Sequence, residues 1–442
     1  MADGQNAQVL RACAAVLAAL ALTACSVPGF GGPPAPVLKI GVDLPLGGAE
    51  GRVATPALEG VRFYVQQHPT LDGFAIELVA KDDSLGGTPE APLGAANVQA
   101  LASDPLVMAV IGPFDSSVAR AEIPVANQAS LAMVSPATSS PCLTKPDYVP
   151  APLRPSHVAV SCKDAGLPAP ADLRPSGVNN YFRLAATDDL QGPAAADYAI
   201  RSLHLLRVAT ISDHEAYGQA LAGSFAARFQ ALGGSIVGRL DLDPSATLDA
   251  TAYLGRMKAD GAQAIYFGGI TANKGCVVRA EMAGVFAAGE AAPFLGGDGI
   301  ADDPACTQDA GANAAGIYAT VPIVDASSVG TAEPVIAAFK SVFPDPKDYG
   351  AYTVIAYDAA AVVYDALDRA IKAAGGQAPP RGNVISQLSA TRDFDGVTGV
   401  FGFDAGGDST RRVLTVYESL AEAPRGPWKR VSSVDYTGAL PY

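Results

Sequence analysis

Two clusters of hydroxyl residues, Ser116 with Ser117 and Ser135 with Thr138, Ser139 and Ser140, are the side chains best spaced to do chemistry. Each closes a short apolar run, Val107 to Ile111 and Leu131 to Val134. Hydroxyls and the free N–H groups of a first helical turn can hold a carboxylate without any arginine. Ser117 precedes a helical pattern carried by Val118, Ile123 and Val125, so it is expected to cap that helix and to donate to such an anion. Taken singly, caps and turns account for residues of this kind. Two clusters after consecutive strands point instead to a binding site, because ligands on a parallel sheet lie beyond the carboxyl ends of its buried strands. Turnover has less support. The histidines His68, His157, His204 and His214 are dispersed without metal-ligand spacing, and no nucleophile, base and metal constellation is evident. An enzyme is therefore the least favoured class.

The elements that must position those hydroxyls follow from length and pattern. At 442 residues, with 49% hydrophobic and 17% charged, the chain can build two or three packed domains. Its net charge of −14 argues against a nucleic-acid surface, which needs clustered Lys and Arg. Val37 to Asp43, Phe74 to Val79, Val107 to Ile111 and Leu131 to Val134 are expected strands, with helices over Leu58 to Gln67 and Ala91 to Ala102. That alternation implies an α/β fold with a parallel sheet. Cys142 to Asn180 is Pro-rich and aperiodic and is expected to be a long loop. A second α/β unit follows, with strands at Arg207 to Ile211, Ser235 to Leu242, Ala264 to Phe267 and Pro293 to Leu295. Its helices are expected over Tyr217 to Leu232, Leu248 to Ala259 and Lys274 to Ala287. After Ile317 to Val321 come helices at Pro334 to Val342, Tyr352 to Ala373 and Val384 to Leu388, then strands at Gly399 to Phe403 and Arg412 to Tyr417. The Tyr352 to Ala373 helix is expected to be core, with Tyr357 and Tyr364 as packing residues.

The amino terminus has the pattern of an export signal. Arg11 precedes an apolar run, Ala12 to Ala21, too short to span a bilayer but long enough for a signal-peptide core. Leu22-Thr23-Ala24-Cys25 after it looks like a bacterial lipobox, in which Cys25 would carry lipid; a plain secretory signal is the alternative. Residues 1–25 are thus expected to be the signal and 26–36, rich in Gly and Pro, a tether. Cys142, Cys162, Cys276 and Cys306 form an even remainder, which in an exported chain suggests disulfides. Of the three pairings, the local one is expected: Cys142 with Cys162 across the Pro-rich insertion, and Cys276 with Cys306.

A series of motifs in order resembles a known family, the type I periplasmic solute-binding proteins that feed branched-chain amino-acid ABC transporters. They are KIGVDLPLGG from Lys39, AKDD from Ala80, VIGPFDSS from Val110, MVSPATSSP from Met133, YFRLAATDDLQGPAAADY from Tyr181, DHEAYGQALA from Asp213, IYFGG from Ile265, LGGDG from Leu295 and DFDGVTGVFGFDAGGD from Asp393. The resemblance covers Leu38 to Tyr417. It implies two lobes joined by three crossover strands as a hinge, one lobe from residues 37–184 and 322–407, the other from 185–321 and 408–442. It further implies that an amino-acid-like ligand lies in the interlobe cleft. Ser117, Thr138 (through its backbone) and Ser139 would hold the carboxylate, Tyr217 would close over the ligand, and Asp298 would pair with the ammonium. After the first strand the chain offers Gly48, Glu50, Arg52 and Val53 instead of the family's aromatic residue, and Ile270 and Thr271 follow IYFGG. No cofactor is implied. The implied partners are the small solute, an ABC permease and, through the lipid, the membrane at the cell surface or in the periplasm, with the receptor a monomer. A ligand-sensing lipoprotein of the same fold is the alternative, and aromatic acids, amides, urea or polyamines join amino acids among the candidate solutes.

Overall fold

A computed structural model describes residues 35–145, 162–163, 166–242, 249–286, 292–420 and 428–441. The expected signal, Cys25 and residues 26–34 of the tether lie outside them. In chain order the first part comprises β1 (Val37–Leu44), β2 (Thr70–Leu71), β3 (Phe74–Asp82), the hairpin strands β4 (Ser84–Leu85) and β5 (Thr88–Pro89), β6 (Val107–Ile111), β7 (Ala132–Ser135) and β8 (Tyr181–Arg183). Six of them form a sheet in the order β2-β3-β1-β6-β7-β8, parallel except where β2 joins β3. The second part holds β9 (Arg207–Ser212), β10 (Ser235–Asp241), β11 (Ala264–Gly268), β12 (Phe294–Gly296) and β13 (Ile317–Val321). Further on, β14 (Phe394–Gly396) and β15 (Gly399–Phe401) make a hairpin, and β16 (Val413–Ser419) and β17 (Trp428–Asp435) close the chain. The second sheet runs β10-β9-β11-β12-β13-β16-β17, with the last two antiparallel. Two sheets flanked by helices give the two-lobed α/β architecture.

Both sheets show why continuous apolar runs mark them. Every residue of β6 and of β11 is buried, because helices cover both faces. In the first lobe α1 (Gly48–Gln67), α2 (Ala91–Ser103) and α3 (Ser116–Gln128) follow β1, β5 and β6. Val98 and Leu101 of α2 and Ile123 of α3 pack on Val110 and Met133, whereas Ala109, Ile111 and Val134 turn to the opposite face, where Ala57 and Val61 of α1 lie. Each fully buried Val, Leu or Ile there contributes about 1.5–3 kcal/mol relative to exposure. The second lobe carries α4 (Asp188–Arg201), α5 (Ala216–Ala231), α6 (Thr251–Ala259), α7 (Gly275–Val285) and α8 (Pro304–Ala310). After β13 come α9 (Glu333–Val342), α10 (Thr353–Ala373) and α11 (Arg381–Ser389). The α10 helix packs against α1 at Gly60, where a Cβ would stand 2.0 Å from the Thr353 carbonyl oxygen, so no side chain fits.

Several elements depart from the sequence expectation. Helix α1 starts ten residues before Leu58, absorbing Glu50, Arg52 and Val53, and Pro56 sits inside it. The packed core of the first lobe overrides the breaker residues there. Helix α4 and strand β17 were not expected, and of Gly399 to Phe403 only Gly399–Phe401 is a strand, paired in a two-residue-turn hairpin outside the two main sheets. Both disulfides form as expected, Cys142–Cys162 and Cys276–Cys306, with Cα atoms 5.7 and 5.0 Å apart.

The chain passes between the lobes at three neighbouring places. The Leu184 N–H donates to Ser135, Ala186 N–H to Pro322 (2.7 Å), and Ser409 N–H to Arg183 (3.1 Å). Arg183 is fully buried at this junction, and its guanidinium donates to the Asp408 carboxylate (2.8 Å), the Ser140 carbonyl (2.7 Å) and the Thr144 hydroxyl (2.5 Å). One side chain thus ties the first crossover to the third and fixes the loop that follows β7. Burial alone would raise the Asp408 pKa, but the Arg183 guanidinium holds it below the usual carboxylate value.

Candidate ligand site between the two lobes

Sheet order places the site. In the first sheet the connections run from β1 outward to β3 on one side and to β6 on the other, and in the second from β9 to β10 and to β11. Ligands in such sheets bind beyond the carboxyl ends of the strands where the order reverses. The residues just past β6, β7, β9 and β12 are those of the expected site.

On the first lobe the two hydroxyl clusters stand side by side. The Ser135 hydroxyl donates to the Pro113 carbonyl (2.8 Å) and accepts from the Thr138 N–H (2.9 Å) and the Thr138 hydroxyl (2.8 Å), pinning the two loops together. Thr138 is buried; its hydroxyl also bonds Tyr181, and its carbonyl accepts from Arg183. Its backbone groups are thus engaged in shaping the loop. Ser139 is buried beside Asp188, whose N–H donates to the Ser139 carbonyl (2.9 Å). The expected cap needs correction: α3 begins at Ser116, Asp115 precedes it, and Ser117 is exposed. Ser116 is the serine that turns inward, accepting the Ser140 N–H at 3.1 Å.

On the second lobe Asp298 opens the short turn after β12. Its carboxylate accepts from the Tyr217 hydroxyl (2.6 Å), the Gln191 amide (2.9 Å) and the Tyr352 hydroxyl (2.8 Å). Tyr217 belongs to α5 and Gln191 to α4, both of the same lobe, so these two fix the carboxylate's direction. Tyr352 precedes α10 and reaches Asp298 from the first lobe, with its ring edge-on to Phe114 at 4.8 Å. The Tyr352 to Ala373 segment was expected to be core, and Tyr352 is buried there with its hydroxyl turned to Asp298. Phe114 and Tyr352 also supply the aromatic surface that the segment after β1 lacks. Burial, then the charge of Asp298, pushes the Tyr217 and Tyr352 hydroxyls well above their usual pKa, so both remain donors.

Carboxyl groups crowd this region. Burial raises Glu50 to about 8, with Asp115, Asp303 and Asp298 adding to the shift and Arg52 opposing it. Asp188 is fully buried and raised to about 8 by burial and then by Asp298. Neither of its carboxylate oxygens has a hydrogen-bond partner of good geometry among the described residues. Such a surface can take a cationic group on one side and, at the serine loops, an anionic one on the other.

A family model described as periplasmic binding protein matches residues 37–420. The chain belongs to the periplasmic binding protein family. A leucine-, isoleucine-, valine-, threonine- and alanine-binding protein of Pseudomonas aeruginosa is 28% identical over 250 residues, which are 56% of this chain and 62% of that protein. Leu/Ile/Val-binding protein homolog 2 of Brucella abortus is 25% identical over 404 residues, 89% of this chain and 93% of that one. Among solved structures, a leucine-binding protein of Thermotoga maritima superposes with a TM-score of 0.70 at 23% identity, covering 90% of this chain and 99% of its own. A solute-binding protein of an ABC transporter from R. palustris, in complex with 4-hydroxybenzoate, gives 0.69 at 17% identity, covering 90% and 97%. At these identities the structures establish the fold, and the named relatives are binding proteins, not enzymes. Among the described residues of this periplasmic binding protein, no helix is long and apolar enough to cross a membrane.

Proposed function

We propose that this periplasmic binding protein is a lipid-anchored, extracytoplasmic receptor that captures an amino-acid-like solute between its lobes and delivers it to an ABC permease. The supporting observation is the Asp298 carboxylate, held by Tyr217, Gln191 and Tyr352 across from the serine loops of the other lobe. A zwitterion needs donors at one end and a carboxylate at the other, and these two sides provide them. The Ser116 and Ser139 hydroxyls with the first N–H groups of α3 would take the carboxylate. Asp298 would take the ammonium, with Tyr217 and Tyr352 closing over it. Ser117 lies on the exposed side of the same turn and would act through its N–H. The crowded carboxyl groups of Glu50, Asp115 and Asp188, whose ionised forms a cation would stabilise, favour a solute bearing an ammonium over a benzoate like that bound by the R. palustris protein.

The lobes are assigned as residues 37–184 with 322–407 and 185–321 with 408–442, supported by the pairing of β16 onto β13 and of β17 onto β16. Lobe closure about the three crossovers would present one composite surface to the permease. Anchoring rests on Leu22 to Cys25: the full chain should partition into detergent, and Cys25→Ser should not. The ligand side is tested by calorimetry across amino acids, amides, diamines and benzoates. The best amine-bearing ligand should bind, and Asp298→Asn should weaken it by about 2–5 kcal/mol, because its ammonium loses a desolvated counter-charge. Unchanged affinity in a folded variant would remove Asp298 from the site.

A further inference from the structure

A second group of carboxyls lies within the first lobe, apart from the contacts described above. Asp43 comes from β1, Asp83 follows β3, and Glu122 comes from the middle of α3; all three are fully buried. One carboxylate oxygen from each lies within 4.8 Å of the others. Asp43 Oδ1 accepts from the Asn97 amide at 3.0 Å. The other Asp43 oxygen, both oxygens of Asp83 and both of Glu122 accept from no N–H or hydroxyl donor among the described residues, and the Asp43 and Glu122 carboxyls can bond only each other, through a shared proton. Neighbouring charge does not compensate them. Lys81 acts favourably on Asp43, but Asp82 adds negative charge toward Asp43 and Asp83, and Asp115 toward Glu122. The Asp82 carboxylate is itself occupied, accepting the N–H groups of Leu46 and Ser84.

Buried carboxyls are normally held by donors, by cationic side chains or by a metal, and an orphaned one costs several kcal/mol. Here three converge from three elements, and the backbone has been cleared for them. At Gly94 of α2 a Cβ would lie 2.6 Å from Glu122 Oε1 and 2.5 Å from Val118 Cγ1, so only glycine lets α2 pass this close to the carboxyl. The donor set is all oxygen, which selects hard cations. Oxygens that all lie within 4.8 Å of one another are close enough to reach a single ion at a Ca²⁺–O distance of roughly 2.4 Å. We propose that Asp43, Asp83 and Glu122 form a buried site for a hard divalent cation such as calcium that cross-links β1, the end of β3 and α3. Such an ion fixes α3 against the sheet, and with it the Phe114 to Ser117 turn at the amino end of that helix.

The test uses the folded chain from Val37 onward together with its disulfides, stripped with EDTA and titrated with Ca²⁺, Mg²⁺ or Mn²⁺ by calorimetry and thermal melting. The expected result is one Ca²⁺ per chain, with the melting temperature rising as the ion concentration rises, and loss of both effects in Asp83→Asn and Glu122→Gln. Asn and Gln keep the shape of the side chains, and melting curves of the two variants in EDTA report whether they fold. No binding by the wild type, even at alkaline pH where these carboxyls ionise and compete best for metal, overturns the proposal. So does a thermal response that persists in both variants, which would locate the ion on the acidic surface, and so does a wild type that binds none of the three ions while the variants melt higher, which would mean shared protons.

Discussion

Asp43 near the end of β1 and Asp213 just after β9 occupy the same corner of their two sheets, where the strand order reverses. Both are fully buried. Asp213 accepts from Glu215 N–H (3.2 Å), Ile270 N–H (3.2 Å) and the Asn273 amide (3.0 Å), so its own lobe supplies its donors. Around Asp43 the first lobe supplies one amide and two more carboxyls. The same position in the fold is thus a closed structural turn in one lobe and an open demand for positive charge in the other. Arg183 with Asp408 marks the far end of this scale, a buried acid paired by a dedicated cation.

Breaking that pair should have the largest effect. Asp408→Ala leaves Arg183 buried without its counter-charge at the crossover, and removing one partner of a buried pair costs about 3–5 kcal/mol. Denaturant unfolding should show a lower midpoint with an unchanged slope. A smaller shift would mean that Ser140 and Thr144 carry the guanidinium alone. Next comes a contrast in sign. Asp213→Ala orphans buried donors and should cost about 1–3 kcal/mol. Asp83→Asn, measured in chelator, removes one of three like charges and should raise the melting temperature. Matching destabilisation by both would erase the distinction between the lobes.

This contrast also shows what the sequence could reveal. Strands β1, β6, β9 and β11 are legible because burial on both faces turns each into an unbroken apolar run. Helix α4 was not, since its Gly and Pro read as loop although nearly every residue is buried. Strand β17 is half exposed and pairs only on one edge, so its pattern carries little signal. In the candidate site, the motifs single out Asp298 and Tyr217, which hydrogen-bond each other, and local pattern singles out the serine loops, which are joined through Ser135 and Ser116. Gln191 and Tyr352 reach Asp298 from 107 and 54 residues away, and Arg183 and Asp408 are 225 apart. No local pattern records such pairs. Asp83 stood in the AKDD motif, but its meaning depends on Glu122, which looks like any polar residue of a helix.

A third effect is a pH slope. Burial and then Asp298 raise Asp188 to about 8 in the fold, against about 3.9 for an unfolded aspartate. The folded state therefore binds this proton more tightly, and its contribution is present at low pH and lost as pH rises from about 4 through about 8. The melting temperature of the unliganded protein should fall across that window. Asp188→Asn, which cannot ionise, should flatten the slope, and a slope unchanged in the variant would exclude Asp188 as a source. An ammonium ligand that favours the ionised form should in turn bind more tightly at pH 8 than at pH 6.

The smallest effect separates two adjacent hydroxyls. Ser117 is exposed, whereas Ser116 turns inward and accepts the Ser140 N–H, so the two differ in what their loss would leave behind. In Ser116→Ala the Ser140 N–H loses its acceptor and the proposed carboxylate site loses a donor. A hydrogen bond to a charged group contributes about 1.5–3 kcal/mol, and a neutral one about 0.5–1.5 kcal/mol. Ser116→Ala should therefore weaken ligand binding by at least about 0.5 kcal/mol and also lower stability slightly. Ser117→Ala, at an exposed position without such a bond, should change either by no more than about 0.5 kcal/mol. Calorimetry with the same amine-bearing ligand ranks them directly. If Ser117→Ala were the more damaging, the turn between β6 and α3 would have to rotate on binding, bringing the exposed hydroxyl inward as the lobes close.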